Sequence, residues 1–206
     1  MKIFKQKFIL DESGSMNDQR DTVISGFNEQ LDSMRQEEIR DGISYLVSLI
    51  KFNESVTVLY KDLPLIQVPK LTKKSYVPSG WTALYDAIGA AIDTAKLGET
   101  DTFVSIFTDG QENRSRKWKK AGIKTLIDIR QNENKWGFVY FGANQDSWAE
   151  AGNISISNAV NYTVANTGSA INAMSMCRNA YVTTATSGQY NVSNLTCNVN
   201  QDDLVK

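Results

Sequence analysis

The sequence holds no histidine, two cysteines, three prolines and almost no net charge, with 22 Lys+Arg against 23 Asp+Glu. Each shortage excludes something. Without histidine no Ser-His-Asp or Cys-His nucleophile pair can be built, and the commonest general base at neutral pH is missing. Cys177 and Cys197 cannot by themselves assemble a zinc centre from nitrogen and sulfur ligands. A net charge of −1 argues against a nucleic-acid reader that works by gross basicity, and equally against an acidic solvating tail. No stretch approaches the ~18 apolar residues of a membrane-spanning helix. The apolar run Phe8-Ile9-Leu10 stops at Asp11, too short for a secretory signal core. The expectation is a soluble cytoplasmic protein with reduced cysteines and no nucleic-acid or membrane partner. Asn-x-Ser/Thr triplets at Asn153, Asn161 and Asn194 then follow from an Asn-rich composition. Site chemistry is left to carboxylates, hydroxyls and water, which suit hard cations such as Mg²⁺ or Mn²⁺.

What is present reads as an α/β chain. A length of 206 residues with 41% hydrophobic content is enough for one packed domain. Short apolar runs alternate with helical patterns, which predicts a doubly wound, Rossmann-like, mainly parallel sheet with helices on both faces. Phe8–Leu10 reads as the end of a first strand, and Val23, Ile24, Phe27, Leu31 and Met34 recur at helical spacing. Strands follow at Ser44–Phe52 and Val56–Tyr60 with only three residues between them. A parallel crossover needs a dozen or more, so this pair is an antiparallel hairpin at a sheet edge. Pro64, Pro69 and Pro78 mark the next segment as a long irregular connection. Leu84 to Ala95 carries one apolar helix face, with Gly98 as its stop. Thr102–Phe107 has the pattern of a strand buried on both faces. A helix near Trp118–Arg130, a strand at Gly137–Phe141, a short helix at Asp146–Ala151 and a strand at Val160–Val164 come next. Ala170 to Tyr181 spaces as a last helix. The domain is drawn as residues 1–186, leaving 187–206 as a polar, Asn-rich tail or an added strand.

Three segments bring oxygen ligands to strand ends: Asp11-Glu12-Ser13-Gly14-Ser15, Thr82 and Asp109. In doubly wound sheets, sites form beyond the carboxyl ends of strands where strand order reverses. Asp11, Ser13 and Ser15 stand at alternate positions, and in an extended turn their oxygens point to one side. Two facing carboxylates repel unless a cation lies between them. These motifs, with Gly-Trp-Thr-Ala-Leu at 80–84 and Phe-Thr-Asp-Gly at 107–110, resemble a von Willebrand factor A domain with an intact metal-ion-dependent adhesion site. The resemblance covers about residues 1–184. It implies that Asp11, Ser13, Ser15, Thr82 and Asp109 hold Mg²⁺ or Mn²⁺, and that the metal accepts a Glu or Asp carboxylate from a protein partner. It implies a binding module rather than an enzyme.

Around this set, Trp81 stands where the family usually has a small residue, and serves either as an anchor for a partner or as a cover for the loop. Asp86 fits the first turn of its helix as a complement to the dipole, or tethers a neighbouring loop. The basic run from Arg114 to Lys124, with Lys119 and Lys120 at its centre, is a solvated helix face or a steering patch for an acidic partner. Asn144-Gln145-Asp146 lines the same rim or caps a helix. The rival reading is a Mg²⁺-dependent phosphohydrolase of the haloacid-dehalogenase type with Asp11 as nucleophile. Its proton shuttle is a second aspartate two positions on, and Ser13 stands there instead.

Overall fold

The computed structural model describes residues 1–93, 100–133, 135–143, 147–196 and 199–205. Gly98, the 144–146 segment and Cys197 lie outside the described residues, and with them the helix stop, the rim role of Asn144 and the pairing of the two cysteines.

Six strands form one sheet: β1 (Lys2–Asp11), β2 (Ile43–Phe52), β3 (Val56–Pro64), β4 (Thr102–Thr108), β5 (Trp136–Ala143) and β6 (Ala159–Tyr162). Their order is β3-β2-β1-β4-β5-β6. Every pairing is parallel except β2 with β3, which is antiparallel, because three residues cannot carry the chain back for a parallel return. The helices are α1 (Arg20–Asp41), α2 (Leu84–Asp93), α3 (Lys120–Asn132), α4 (Ser147–Asn153) and α5 (Thr167–Thr186). Strand order reverses between β1 and β4. The ends of these two strands carry Asp11 and Asp109.

Side-chain alternation along β1 divides the interior. Phe4, Phe8 and Leu10 face α1 and α5, while Ile9 faces α2, α3 and α4. All seven residues of β4 are buried, as its unbroken apolar run requires. α1 and α5 approach closely because Gly26 has no side chain: a Cβ there would stand 2.6 Å from Cδ1 of Ile171. Between them Arg178, fully buried, donates to Glu37 at 2.6 Å and to Gln30 at 2.6 Å. Burial raises the Glu37 carboxyl, but Arg178 more than offsets this and holds it below the usual range.

Two expectations are revised. Pro64 is not in the irregular connection; it is the last residue of β3, opposite Leu46, on an edge strand where a missing N–H leaves no inner ladder unpaired. The 187–206 segment contains no strand among the described residues, and only a single helical turn at Gln201–Asp203. It is nevertheless built into the core. Leu195 and Leu204 are buried among the α5-side residues, with Tyr190, Val192 and Val199 packed against them. Buried Asn158 donates to the Val192 carbonyl at 2.7 Å and accepts from Leu195 N at 2.7 Å. The segment also covers the β6 margin, where Thr163 N donates to Leu204 O at 2.9 Å.

Candidate metal centre at the strand ends

β1 ends in Asp11, whose side chain is wholly buried. Its Oδ1 accepts from Ser13 N at 2.7 Å and its Oδ2 from the Thr108 hydroxyl at 2.5 Å. The first bond folds the chain back at once, so Ser13 and Ser15 return over the strand end with their hydroxyl oxygens 3.2 Å apart. Ser15 Oγ donates to Asp109 Oδ1 at 2.6 Å, and Gln19 Nε2 to Asp109 Oδ2 at 2.9 Å. Four of the five sequence-derived ligands are thus joined by hydrogen bonds.

Thr82 arrives from the long connection. Gly14 N donates to Gly80 O at 3.1 Å, docking that loop on the serine turn, and Gly80 has a left-handed φ of +73° that suits glycine. Thr82 N donates to Asn113 Oδ1 at 3.0 Å, and Thr82 O accepts from Asn113 N and Arg114 N. A Cβ placed on Gly110 would meet Thr82 Oγ1 at 2.9 Å and Asp11 Oδ2 at 3.7 Å. Thr82 and Asp11 therefore converge on one small space that Gly110 leaves open.

Beneath the site the walls are fixed. Glu12 takes Lys51 Nζ at 2.8 Å and also accepts from Val77 N, while the Tyr76 hydroxyl donates to the Asp11 carbonyl at 2.5 Å. Asp86 acts as a tether rather than mainly as a dipole partner. Its carboxylate accepts from the backbone N–H groups of Arg116, Lys117 and Trp118. Burial raises its carboxyl, and these bonds bring it below the usual range.

The electrostatics of the two site carboxylates run the other way. Burial pushes Asp11 up to about 6, and the Asp109 charge adds to this; burial also raises Asp109. The donors that hold them are hydroxyls, an amide and backbone N–H groups, with no Lys or Arg side chain hydrogen-bonded to either among the described residues. Among the described residues no group of three or more His, Cys, Asp or Glu side chains gathers as metal ligands. The donor set here is instead two carboxylates and three hydroxyls, hard oxygens that fit a small divalent cation.

The remaining sequence candidates sit outside this cluster. Trp81 is 62% exposed, its N–H held by Glu54 at 3.0 Å. Lys119 and Lys120 are exposed at the start of α3, without a hydrogen bond to the five oxygen donors among the described residues. Sequence reading did not single out Thr108 or Gln19. Thr108 adjoins Asp109, a signal that was available; Gln19 carried none.

The sequence matches no family model and no curated protein. Solved structures do match. A von Willebrand factor type A protein from Catenulispora acidiphila superposes with a TM-score of 0.62 over 84% of this chain, at 14% identity. The chain has the von Willebrand factor A fold. The A domain of the type V pili tip protein Mfa5 from Porphyromonas gingivalis gives a TM-score of 0.60 at 11% identity, covering 85% of this chain and 95% of that one. Proximal thread matrix protein 1 from the mussel byssus, in a structure described as having a zinc-occupied adhesion-site motif, gives 0.52 at 18% identity over 83% of this chain. The A-fold chain spans only 42% of the Catenulispora protein and 44% of the byssus protein.

Proposed function

We propose that this A-fold chain is a metal-dependent protein-binding module and not an enzyme. Asp11, Ser13, Ser15, Thr82 and Asp109 would hold one Mg²⁺ or Mn²⁺, whose Lewis acidity serves to bind a Glu or Asp carboxylate of a partner protein. The observation that carries the reading is the pairing of a buried carboxylate, Asp11, with a half-buried one, Asp109, at neighbouring strand ends, with no Lys or Arg side chain hydrogen-bonded to either among the described residues. Such a pair is costly until a positive charge arrives. The three hydroxyls surround it as neutral donors, so an ion held there keeps attraction for an outside anion. Structural neighbours described as a pili tip protein and a pilus adhesin agree with an adhesive role. The phosphohydrolase alternative lacks its proton shuttle, since Ser13 occupies that position.

Around the site, exposed Trp81 offers an aromatic anchor. The exposed side chains of Arg114, Arg116, Lys119 and Lys120 supply longer-range attraction for an acidic partner, weakened by salt. Ca²⁺ should substitute poorly because it prefers longer bonds and more ligands.

The test is thermal unfolding in EDTA and in millimolar Mg²⁺ or Mn²⁺. Ligand at ~100 Kd stabilises by ~2.7 kcal/mol, and Thr82→Ala should abolish that gain. An unfolding curve indifferent to both ions overturns the reading. Proteins captured in Mg²⁺ should be released by EDTA and lost on Thr82→Ala, and a partner unaffected by either refutes the carboxylate mechanism.

A further inference from the structure

The middle of β1 buries a charge. Lys7 is 2% exposed and stands in register between Ser48 of β2 and Val104 of β4. Its amine donates no hydrogen bond among the described residues. The Trp136 ring is 5.8 Å from Nζ, centroid to nitrogen, near the outer limit of a cation–π attraction. Lys7 instead lines a small cleft of about 40 Å³ with Ser48, Ile50, Lys61, Ala90 and Ala91. The carboxylate that faces it, Asp62, is already committed: Oδ2 accepts from Lys5 Nζ at 3.0 Å and Oδ1 from Ser48 Oγ at 3.2 Å. Lys5, Lys61 and Arg130 all face Lys7 as well. Lys5 and Arg130 have acids of their own in Asp62 and Glu133, whereas no salt bridge joins Lys7 or Lys61 to an acid among the described residues. Burial, with these cations, lowers the Lys7 amine to about 8, so at pH 7 most of it is still protonated. A buried ammonium without an acceptor is costly.

We propose that this cleft binds one small monovalent anion, about the size of chloride, between the buried Lys7 and the exposed Lys61. The anion supplies the acceptor that Lys7 lacks and balances the excess of cations around it. Size sets the class of ligand. A buried water needs about 10–15 Å³, so the cleft has room for about three waters or one halide-sized ion, and too little for the five heavy atoms of phosphate or sulfate. The apolar walls at Ile50, Ala90 and Ala91 favour an ion that sheds its water easily. None of the strand-end oxygen donors lines the cleft, so this site is separate from the candidate metal centre. Its walls come from β1, β2, β3 and α2 and assemble only in the folded chain, so the anion stabilises the fold.

The test is thermal unfolding in EDTA at pH 7 and fixed ionic strength, with sodium chloride exchanged for sodium gluconate, whose anion is too large for the cleft. Chloride at about ten times its Kd should raise Tm by about 3–6 °C. Lys7→Met keeps the apolar stem and removes the amine, so it should lose that rise. Lys61→Gln, at an exposed position, should reduce it. A wild-type curve indifferent to the exchange overturns the proposal. So does a rise of equal size in wild type and Lys7→Met, which would be a general effect of the salt. If Lys7→Met does not fold, Lys61→Gln decides: a chloride-dependent rise undiminished in that variant overturns the site.

Discussion

Replacing Asp11 by asparagine should make the metal-free protein more stable. Burial raises the Asp11 carboxyl from 3.8 to about 6, so the folded state holds a proton there that the unfolded state has already released. The linked stability is complete below pH ~4 and is lost as pH rises through about 6, which amounts to about 3 kcal/mol at neutral pH. The asparagine side chain would keep the acceptor for Ser13 N. Its new N–H group would face Thr108 Oγ, which can turn its own proton to the Gly110 carbonyl at 3.1 Å. No buried polar group is stranded, and the charge is gone. For a chain of this length about 1 kcal/mol moves Tm by roughly 2–4 °C, so Asp11→Asn should melt about 6–12 °C above wild type in EDTA at pH 7. The gap should close at pH 4, where the wild-type carboxyl is protonated. In Mg²⁺ the order should narrow or reverse, because only the wild type gains from the ion. The assay is calorimetry or circular dichroism across pH 4–7 in both buffers. A variant no more stable than wild type in EDTA at pH 7 would refute the claim that the site stores uncompensated charge.

Four other perturbations probe the frame of the domain. Removing residues 187–206 should not leave a sound domain: the segment buries Leu195 and Leu204, worth about 1.5–3 kcal/mol each, and Asn158 loses two partners. Leu195→Ala alone should cost about 2–5 kcal/mol in urea unfolding, and an unchanged midpoint would show that the segment packs only loosely. Arg178→Met should cost about 3–5 kcal/mol by leaving Glu37 buried and unpaired, with much of it regained when Glu37→Gln is added. Burial lowers the Lys7 amine to about 8, so between pH 8 and about 10 the unfolded chain binds the extra proton and stability rises with pH. Lys7→Met should be more stable than wild type at pH 7 and lack that rise, as urea midpoints across the range would show.

The readable parts of this sequence were those with a period or a fixed spacing. Helices α1 and α2 announce themselves by apolar recurrence, and β4 by an unbroken apolar run. The short link between β2 and β3 dictates an antiparallel return. The Asp11-x-Ser13-x-Ser15 spacing, with Thr82 at the end of the long connection and Asp109 just after β4, pointed to residues that the structure brings together. What escaped reading has no period. Gln19 meets Asp109 across 90 positions and Thr167 across 148, and a neutral amide looks the same in sequence whether it is solvated or clamped. Arg178 meets Glu37 across 141 positions, on a helix whose spacing explains only its apolar side. Asp86 occupies a position where the helix dipole already accounts for an acid, so the three N–H groups it collects were not needed to explain it. Leu195 and Leu204 sit in a segment that packs without regular structure, and there burial leaves no repeating trace.

The two margins of the sheet are closed by unlike means, and this bears on how copies of the chain can meet. On the β3 side the ladder to β2 is broken by register shifts between Val47 and Ile50, Asp62 stands in a left-handed conformation with φ +48°, and Pro64 ends the strand. A flat row of donors and acceptors, the template for growing a ribbon from molecule to molecule, does not form there. On the β6 side the template exists but is already in use, occupied by Gln201 and Leu204. Strand addition is thus opposed at one margin by irregular geometry and at the other by a cover built into the core. The free backbone groups of the β6 margin are taken up within the chain itself, by the same segment that buries Leu195 and Leu204.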